Sequence, residues 1–413
     1  MVHFLLKKVL GNKMKFFVAF VAMMLSLFQV SLNAQVVYNF TNAGATGRTG
    51  PTQAQVNATY GSGNTLNGAV TINTQGVQEW VVPNSGLYQI KVAGAKGGGV
   101  GGGNGAILQG RVNLTAGTVL KIIVGQMGVV GTGGNGSYNS GGGGGGSYVV
   151  NGTTPYFIAG GGGGGNGDYA PGSYPNVNNQ KGAGKTTLAG SSTYSGGGGV
   201  NGNGGNYSTG DGASGAGGGG FNSNGLEATT AGGGGAFLNG SIGGLASGGY
   251  NGGDGGFGGG GSGNSNILVR GGGGGGYSGG QGGSYAAIAT TIYTLPQTYT
   301  DIAYGGGGGS FMHNTATMIS TSDGNYENST TFNGNAISNF ASTNSGVGYV
   351  TITQLFSGGT ITLNGGGTST EVCTSYTPGT FASTSGAIGG SGVYSYQWQQ
   401  STNNSTWTDI SGA

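Results

Sequence analysis

The sequence has few charged residues, one cysteine and little proline, and each shortage excludes a class of protein. Lys, Arg, Asp and Glu make up 5% of the 413 residues, so side chains able to act as general acids or bases are scarce. Cys373 is the one cysteine, and His313 is the one histidine after residue 34. A zinc site with Cys/His spacing and an intrachain disulfide are therefore excluded. The low number of prolines, seven, and the lack of a strict Gly-X-Y period disfavour collagen.

Glycine, by contrast, is in large excess. It accounts for 106 residues, far above the ~7% of ordinary proteins, and forms runs such as 141–146, 160–165 and 271–276. A glycine run has no side chains to bury, and ordering it costs more backbone entropy than ordering any other residue. Composition alone leaves two alternatives open, a flexible linker or a bundle of three-residue-per-turn polyproline-II helices joined by backbone hydrogen bonds. In the bundle, aromatic residues would line the rim: Phe221, Phe237, Tyr250, Phe257 and Tyr277.

Residues 1–34 have the composition of an export signal. Four lysines precede an apolar run over residues 16–28, which is shorter than the ~20 residues of a membrane span, and Leu32-Asn33-Ala34 is typical of a cleavage site. The alternative is a buried core helix. From Gln35 onward, eight Lys and Arg face ten Asp and Glu, a net charge of −2. No basic cluster remains for nucleic acid or an anionic membrane surface, so we expect a secreted or cell-surface protein with neither partner.

Short runs rich in Val, Ile, Tyr and Trp predict strands on both sides of the glycine-rich region. No convincing amphipathic helix follows the export signal. Strands before and after a glycine-rich insertion at about 160–285 predict an all-β sandwich. Its predicted core is Trp80, Tyr88, Ile90, Val92, Ile122 and Val124. The predicted strands are Val36–Phe40, Val77–Val82, Leu87–Ala93, Ala106–Leu114, Val119–Gly125, Ser147–Val150, Pro155–Ala159 and Gly348–Leu355.

The composition changes near residue 357, which divides the exported chain into residues 35–357 and 358–413. The second part is rich in Ser and Thr and contains Tyr394-Ser-Tyr396-Gln-Trp398. It resembles the first half of an immunoglobulin-like repeat of bacterial adhesins, so we expect a partial Ig-like β-sandwich and a longer parent protein. Cys373 would then either have lost its disulfide partner or be an inert thiol.

Several motifs of residues 38–355 are specific in a way that glycine runs are not. They are Gly50-Pro-Thr-Gln-Ala-Gln55, Trp80-Val-Val-Pro83, Val124-Gly-Gln-Met-Gly128, Gly217–Gly220 with Phe221-Asn-Ser-Asn224, and Gly271–Gly276 with Tyr277-Ser-Gly-Gly280. In this order they resemble the extracellular glycine-rich domain of the anaplastic lymphoma kinase and leukocyte tyrosine kinase receptors. The resemblance implies a jelly roll of the tumour-necrosis-factor type with an inserted polyglycine-II bundle, and it favours the ordered alternative.

The chain departs from that family at two positions. Ala43 and Val56 stand where the animal receptors have cysteines, and their joint absence is expected if those cysteines pair. The sequence contains no kinase domain, so receptor signalling is not carried over. The family's acidic cytokine-contact positions find no counterpart that can be placed, and the ligand-binding residues stay unknown.

Other patterns resemble functional sites without their context. Gly184-Lys185-Thr186 looks like the end of a phosphate loop, but Asn179 replaces its first glycine. Asp168, Asp211 and Asp254 follow no calcium repeat. Ser310 lies near His313, yet nothing indicates an orienting acid or an oxyanion site.

These observations predict no catalytic, cofactor-binding or metal-binding residues and no cofactor. The favoured hypothesis is a non-enzymatic bacterial surface protein that presents an adhesion or recognition module on an Ig-like stalk. Its partner would be an extracellular protein or a glycan. The alternative is the binding accessory region of a secreted hydrolase whose catalytic domain lies beyond residue 413.

Overall fold

Strands dominate this chain, as the short β-branched and aromatic runs predict. The computed structural model describes residues 35–132, 139–165, 182–192, 197–207, 214–247, 251–264, 269–283, 302–322, 331–332, 335–336, 338–339, 344–356, 360–363, 381–385, 399–401 and 406–410. Residues 1–34, predicted to be an export signal, and most of residues 358–413 lie outside these ranges. So do Tyr250, Asp168, Asp211, Asp301 and Cys373.

The described elements alternate between short strands and extended glycine segments. In chain order they are β1 (Val36–Phe40), α1 (Gln53–Thr59), β2 (Val70–Thr71), β3 (Gln78–Val81), β4 (Gly86–Ala93), β5 (Ile107–Leu114), β6 (Val119–Ile123), β7 (Ser147–Asn151), β8 (Thr154–Ala159), a 3₁₀ turn (Phe237–Asn239), β9 (Val269–Arg270), β10 (Ile302–Ala303), β11 (Phe311–Met312), β12 (Thr317–Ser322), β13 (Thr331–Phe332), β14 (Asn335–Ala336), β15 (Ser338–Asn339), β16 (Tyr349–Gln354), β17 (Thr360–Leu363), β18 (Phe381–Ser385), β19 (Gln399–Gln400) and β20 (Thr408–Asp409).

Two six-stranded sheets form the sandwich, which confirms the all-β prediction. Sheet A has the order β1-β16-β4-β5-β12-β15, and sheet B has the order β11-β8-β7-β6-β3-β2. Neighbouring strands are antiparallel except for the β12–β15 pair at one edge. Because β16 pairs with β1 from Val36↔Gln354 to Phe40↔Val350, the first and last strands of the sandwich lie side by side.

The sandwich core contains every residue predicted for it. Alternation of apolar and polar residues along β4 gives a strand with one buried face, as expected for period two. Trp80 is the centre of an aromatic group, with its ring centroid 4.7 Å from that of Tyr38 and 6.0 Å from that of Phe40. Ala43 and Val56 belong to the same core. The predicted core residues that are buried there are Trp80, Tyr88, Ile90, Val92, Ile122 and Val124.

One short helix was absent from the sequence prediction. Helix α1 begins after Thr52, whose side chain accepts a hydrogen bond from Gln55 N while the Gln55 side chain accepts one from Thr52 N. This capping box satisfies N–H groups that the first turn leaves open. Gln53 then binds the backbone of Val70 and Ile72 through its side-chain amide. The helix spans two turns and buries Val56 alone, so it has no apolar stripe for a sequence pattern to detect.

The glycine runs are ordered, and their hydrogen bonds repeat every third residue. In residues 141–146, every third backbone N–H donates to the same neighbouring segment. The three partner segments in turn are 162–165, 126–129 and 258–261. The same repeat occurs in the other two runs, where Gly161 and Gly164 both donate to segment 272–275, and Gly272 and Gly275 both donate to segment 141–144. A repeat of three residues with all hydrogen bonds made to other segments defines a polyglycine-II bundle, which excludes the flexible-linker alternative for these runs.

Inside the three glycine runs, many positions have no room for a side chain. A Cβ placed on Gly143 would overlap the carbonyl oxygen of Gly273, and one placed on Gly161 would overlap that of Gly144. The bundle is larger than the predicted insertion at 160–285, because residues 94–98, 126–129 and 305–309 also take part. These segments continue from β4, from β6 and into β11, so the bundle extends the sandwich at one end of its strands.

Candidate binding surface

The structure separates Ser310 and His313, the pair that resembled a nucleophile and its base. The Ser310 hydroxyl is buried, accepts a hydrogen bond from Gly160 N at 3.0 Å and donates one to Lys185 O at 2.6 Å. His313 Nδ1 lies 2.8 Å from Thr315 Oγ1, and its ring packs on Tyr156. Both side chains therefore have structural contacts of their own.

The segment that resembled a phosphate loop is part of the glycine bundle. Gly184 N donates to Asn104 O, and Lys185 N donates to Gly308 O. Backbone N–H groups that already have carbonyl partners do not form the anion-binding cradle of a phosphate loop. Residues 182–192 contain neither a strand nor a helix, so the required strand–loop–helix context is missing there as well.

Asp254 also has a structural role, because its Oδ1 accepts a hydrogen bond from Ala246 N at 2.7 Å. Within the described ranges, no group of three or more His, Cys, Asp and Glu side chains is placed to hold a metal ion. The same ranges contain no helix long and apolar enough to cross a membrane.

The aromatic residues expected on the rim of the bundle are mostly inside it. Phe221, Phe237 and Phe257 are buried against the side of sheet B that points away from the sandwich core, while Tyr277 is partly buried beside them. The rings of Phe221 and Phe237 stack with centroids 5.0 Å apart, and Tyr277 packs against Phe311 at 4.7 Å. These aromatic rings pack against one another, so this aromatic row joins the bundle to the sandwich. Little ring surface is left for a ligand.

The exposed apolar side chains lie on a different part of the bundle. Four segments form its outer layer: residues 197–207, 222–228, 231–236 and 242–247. Each is hydrogen-bonded to the next, through Leu226 N to Gly205 O, Gly225 N to Gly234 O and Gly232 N to Leu245 O. We call the solvent side of this layer the outer face.

One 3₁₀ turn, held in place by its contacts with the rest of the bundle, positions two segments of the outer layer. The 3₁₀ turn Phe237–Asn239 reverses the chain between segments 231–236 and 242–247, with Gly240 at φ 86° and Ser241 at φ 54°. Phe237 inserts into the aromatic row, and Ser241 N donates to Ala236 O. Asn224 Oδ1 accepts a hydrogen bond from Ala236 N. These contacts fix the relative register of segments 231–236 and 242–247.

Three-residue periodicity places apolar side chains in a row on the outer face. Ile242 and Leu245 are one helical turn apart and are 45% and 56% exposed. The residues between them, Gly243 and Gly244, face neighbouring segments, because a Cβ on either would overlap backbone there. Leu226 is exposed on segment 222–228, beyond segment 231–236.

Between these side chains, residues 232–235 of segment 231–236 are all glycine and form a strip without side chains. Gly232, Gly233 and Gly235 are each partly exposed. The outer face therefore contains a shallow groove with a floor of glycine backbone. Ile242 and Leu245 stand on one flank, and Leu226 stands on the other.

Backbone groups along the groove lack protein partners. Ile242 N and Leu245 N donate no hydrogen bond to the described residues, although the carbonyl oxygens of the same residues accept from Gly235 and Gly232. Gly233 neither donates nor accepts one through its backbone. Buried backbone groups are nearly always paired, and in the interior run 141–146 every backbone N–H donates to a carbonyl oxygen. The groove thus offers open donors where the bundle meets solvent.

The sequence predicts no ligand-binding residue, and nothing in the sequence analysis indicates this groove. The signal that could have found it is Ile242-Gly-Gly-Leu245, where two large aliphatic residues occur at bundle spacing. In a three-residue helix these two side chains must lie on the same side. That side cannot be packed closely against a neighbouring segment of the bundle, because two large side chains would not fit there. The spacing alone does not say that this side faces solvent.

Comparison with known families identifies one segment. A family model described as "Domain of unknown function (DUF8696)" matches residues 358–413. In this segment the described pieces are two antiparallel pairs, β17 with β18 and β19 with β20. The match covers the part of the chain after the sandwich and leaves the bundle and its outer face outside it.

Proposed function

We propose that this chain is an exported, non-enzymatic recognition module that binds an extracellular partner through the outer face of its glycine bundle. The observation that carries the proposal is the exposed row of Ile242 and Leu245 on a frame that fixes their backbone by hydrogen bonds. Rigid display of exposed apolar side chains is typical of interaction sites. The signal-like residues 1–34 support export, and the resemblance of residues 358–413 to adhesin repeats supports a stalk.

Three further features favour binding over catalysis at this surface. The groove is lined by aliphatic side chains and glycine backbone, which supply neither a nucleophile nor an acid–base pair. Ser310, Lys185 and Asp254 each have hydrogen bonds that serve the bundle. The glycine runs of the bundle also contribute no side chains with which to shape a closed pocket.

The test is binding of the purified chain to arrays of defined extracellular proteins and glycans. We expect at least one reproducible partner, lost in the double variant Ile242→Asp/Leu245→Asp. Val81→Asp is the matched control, because Val81 is 52% exposed on β3 at the far end of the sandwich. Partners retained by the double variant would place recognition elsewhere.

A parallel assay tests the non-enzyme part of the proposal. The chain should turn over no glycan, peptide or ester substrate. Reproducible turnover abolished by one acidic substitution, such as Asp301→Asn, would show that the chain is an enzyme.

A further inference from the structure

The groove on the outer face has a repeat that limits what can bind in it. Ile242 N and Leu245 N are open donors three residues apart on a three-residue helix. At about 3.1 Å per residue their spacing is about 9 Å. A ligand in the polyproline-II conformation presents equivalent carbonyl groups at the same interval. A strand would not match, because its groups on one side repeat every second residue.

The chemistry of this row favours a ligand with acceptors and few donors. The carbonyl oxygens of Ile242 and Leu245 are engaged by Gly235 and Gly232, so this row offers only N–H groups to a partner. Proline contributes a carbonyl but no N–H. Its ring also provides apolar surface for the exposed side chains of Leu226, Ile242 and Leu245.

The groove provides access for such a segment. The position of a Cβ on Gly232 would lie 2.9 Å from Leu245 N, and that on Gly235 would lie 3.0 Å from Ile242 N. Since both residues are glycine, no side chain covers the open donors from this side. A proline-rich segment is already extended before binding, so it loses little conformational entropy.

We propose that the outer face binds a proline-rich polyproline-II segment of another protein, along the groove between Leu226 and the Ile242–Leu245 row. This inference rests on the proposed recognition function and names its partner class. A second copy of this chain does not supply the segment, because its seven prolines are never closer than four residues apart in sequence.

The test is a titration of the full purified chain with a fluorescent ten-proline peptide, followed by anisotropy. We expect saturable binding, and none to a Gly-Ser peptide of the same length, which lacks the preformed helix. Ile242→Asp/Leu245→Asp should abolish binding. Val200→Asp is the control, since Val200 is 54% exposed on segment 197–207, which segment 222–228 separates from the glycine floor of the groove. Equal binding of both peptides, or of the double variant, would overturn the proposal.

A pair of substitutions at residue 245 isolates the hydrogen bond from the apolar contact. Leu245→Pro removes the N–H, keeps apolar surface and breaks no hydrogen bond of the bundle, since Leu245 N donates none. Leu245→Ala keeps the N–H and removes the side chain. We expect Leu245→Pro to bind the peptide about threefold to tenfold more weakly at an unchanged melting temperature. Full affinity in this variant would contradict the donor role.

The two proposals fail separately. If array partners depend on Ile242 and Leu245 but the proline peptide does not bind, the recognition site stands and its ligand class is wrong. If the chain binds neither, both proposals are overturned.

Discussion

At the scale of single residues, the chain divides into positions that need bulk and positions that forbid it. Trp80 fills the sandwich core, with Tyr38 and Phe40 against its ring. Gly143 is the opposite case, since the carbonyl of Gly273 occupies the place of a side chain. Substitution by alanine removes bulk at the first kind of position and adds it at the second, and we expect both changes to destabilise the chain.

Removing the Trp80 side chain should leave a cavity in the sandwich. We expect Trp80→Ala to lower the free energy of unfolding by about 3–5 kcal/mol, measured by urea denaturation. Val81→Ala, on the same strand but exposed, should change it by less than about 0.5 kcal/mol. A Trp80→Ala variant as stable as the parent would mean that the indole is not buried.

Adding a single methyl group inside the bundle should be as harmful as removing an indole. Gly143→Ala would force backbone of segments 141–146 and 271–276 apart and break their shared hydrogen bonds, so the melting temperature should fall. Gly61→Ala is the control, because the nearest atom to its Cβ position lies 3.9 Å away. That substitution should be neutral or stabilise by up to about 1 kcal/mol. A tolerated Gly143→Ala would contradict close packing of the two segments.

At the scale of elements, each strand can be predicted from its own local sequence, whereas the structure of the glycine segments cannot. The prediction for β1 was correct to the residue, and β4, β5 and β8 begin or end within one residue of prediction. Alternating burial is a local property, so the sequence reveals it. The order of residues 141–146 depends on partners as far as 131 positions away, such as Gly272, whose N–H donates to Gly141 O. Composition alone therefore leaves bundle and linker undecided, and the family resemblance only favours the bundle.

Hydrogen exchange should distinguish glycine segments by their place in the bundle. Amides in residues 142–146 and 272–276 donate to neighbouring segments and should exchange far more slowly than random-coil glycine. The amides of Gly233, Ile242 and Leu245 have no protein acceptor in the described ranges, so they should exchange fast although their segments are ordered. Uniform random-coil exchange throughout 141–146 would support the linker alternative instead.

The capping box of α1, formed by Thr52 and Gln55, can be tested by substitution at Thr52. Thr52→Ala removes the hydroxyl that accepts from Gln55 N and should cost about 1 kcal/mol. Thr52→Ser keeps the hydroxyl and should retain most of the stability. Equal loss in both variants would point to the threonine methyl group rather than the cap.

At the scale of the whole molecule, we expect buried tyrosines to limit stability at high pH. Burial raises the pKa of Tyr88 to about 12, and burial also raises the pKa of Tyr148, whose hydroxyl donates to Gly276 O. Both side chains titrate near pH 10 in the unfolded chain. Their neutral forms are thus favoured by folding, and stability is fully present below pH ~10 and falls as pH rises toward 12.

Circular dichroism read together with phenolate absorbance should follow this alkaline transition. Unfolding should begin above pH ~10 and coincide with ionisation of the buried tyrosines. Tyr88→Phe should make stability depend less steeply on pH in this range. The same steepness in Tyr88→Phe and the parent would assign the transition to other groups.

The side-by-side position of β1 and β16 determines how the molecule would respond to mechanical force. The glycine bundle extends from one end of the sandwich, whereas β16 ends at Gln354 at the other end, next to Val36. A pull on Phe356 while the bundle is held would act along β16, between its two antiparallel neighbours. Because ladder hydrogen bonds run perpendicular to strands, such a pull stretches the bonds of all six residues together instead of opening them one after another. A tether attached at Phe356 would therefore load the hydrogen bonds of β16 with β1 and β4 in shear. A short strand resists being pulled out of a sheet best in this direction.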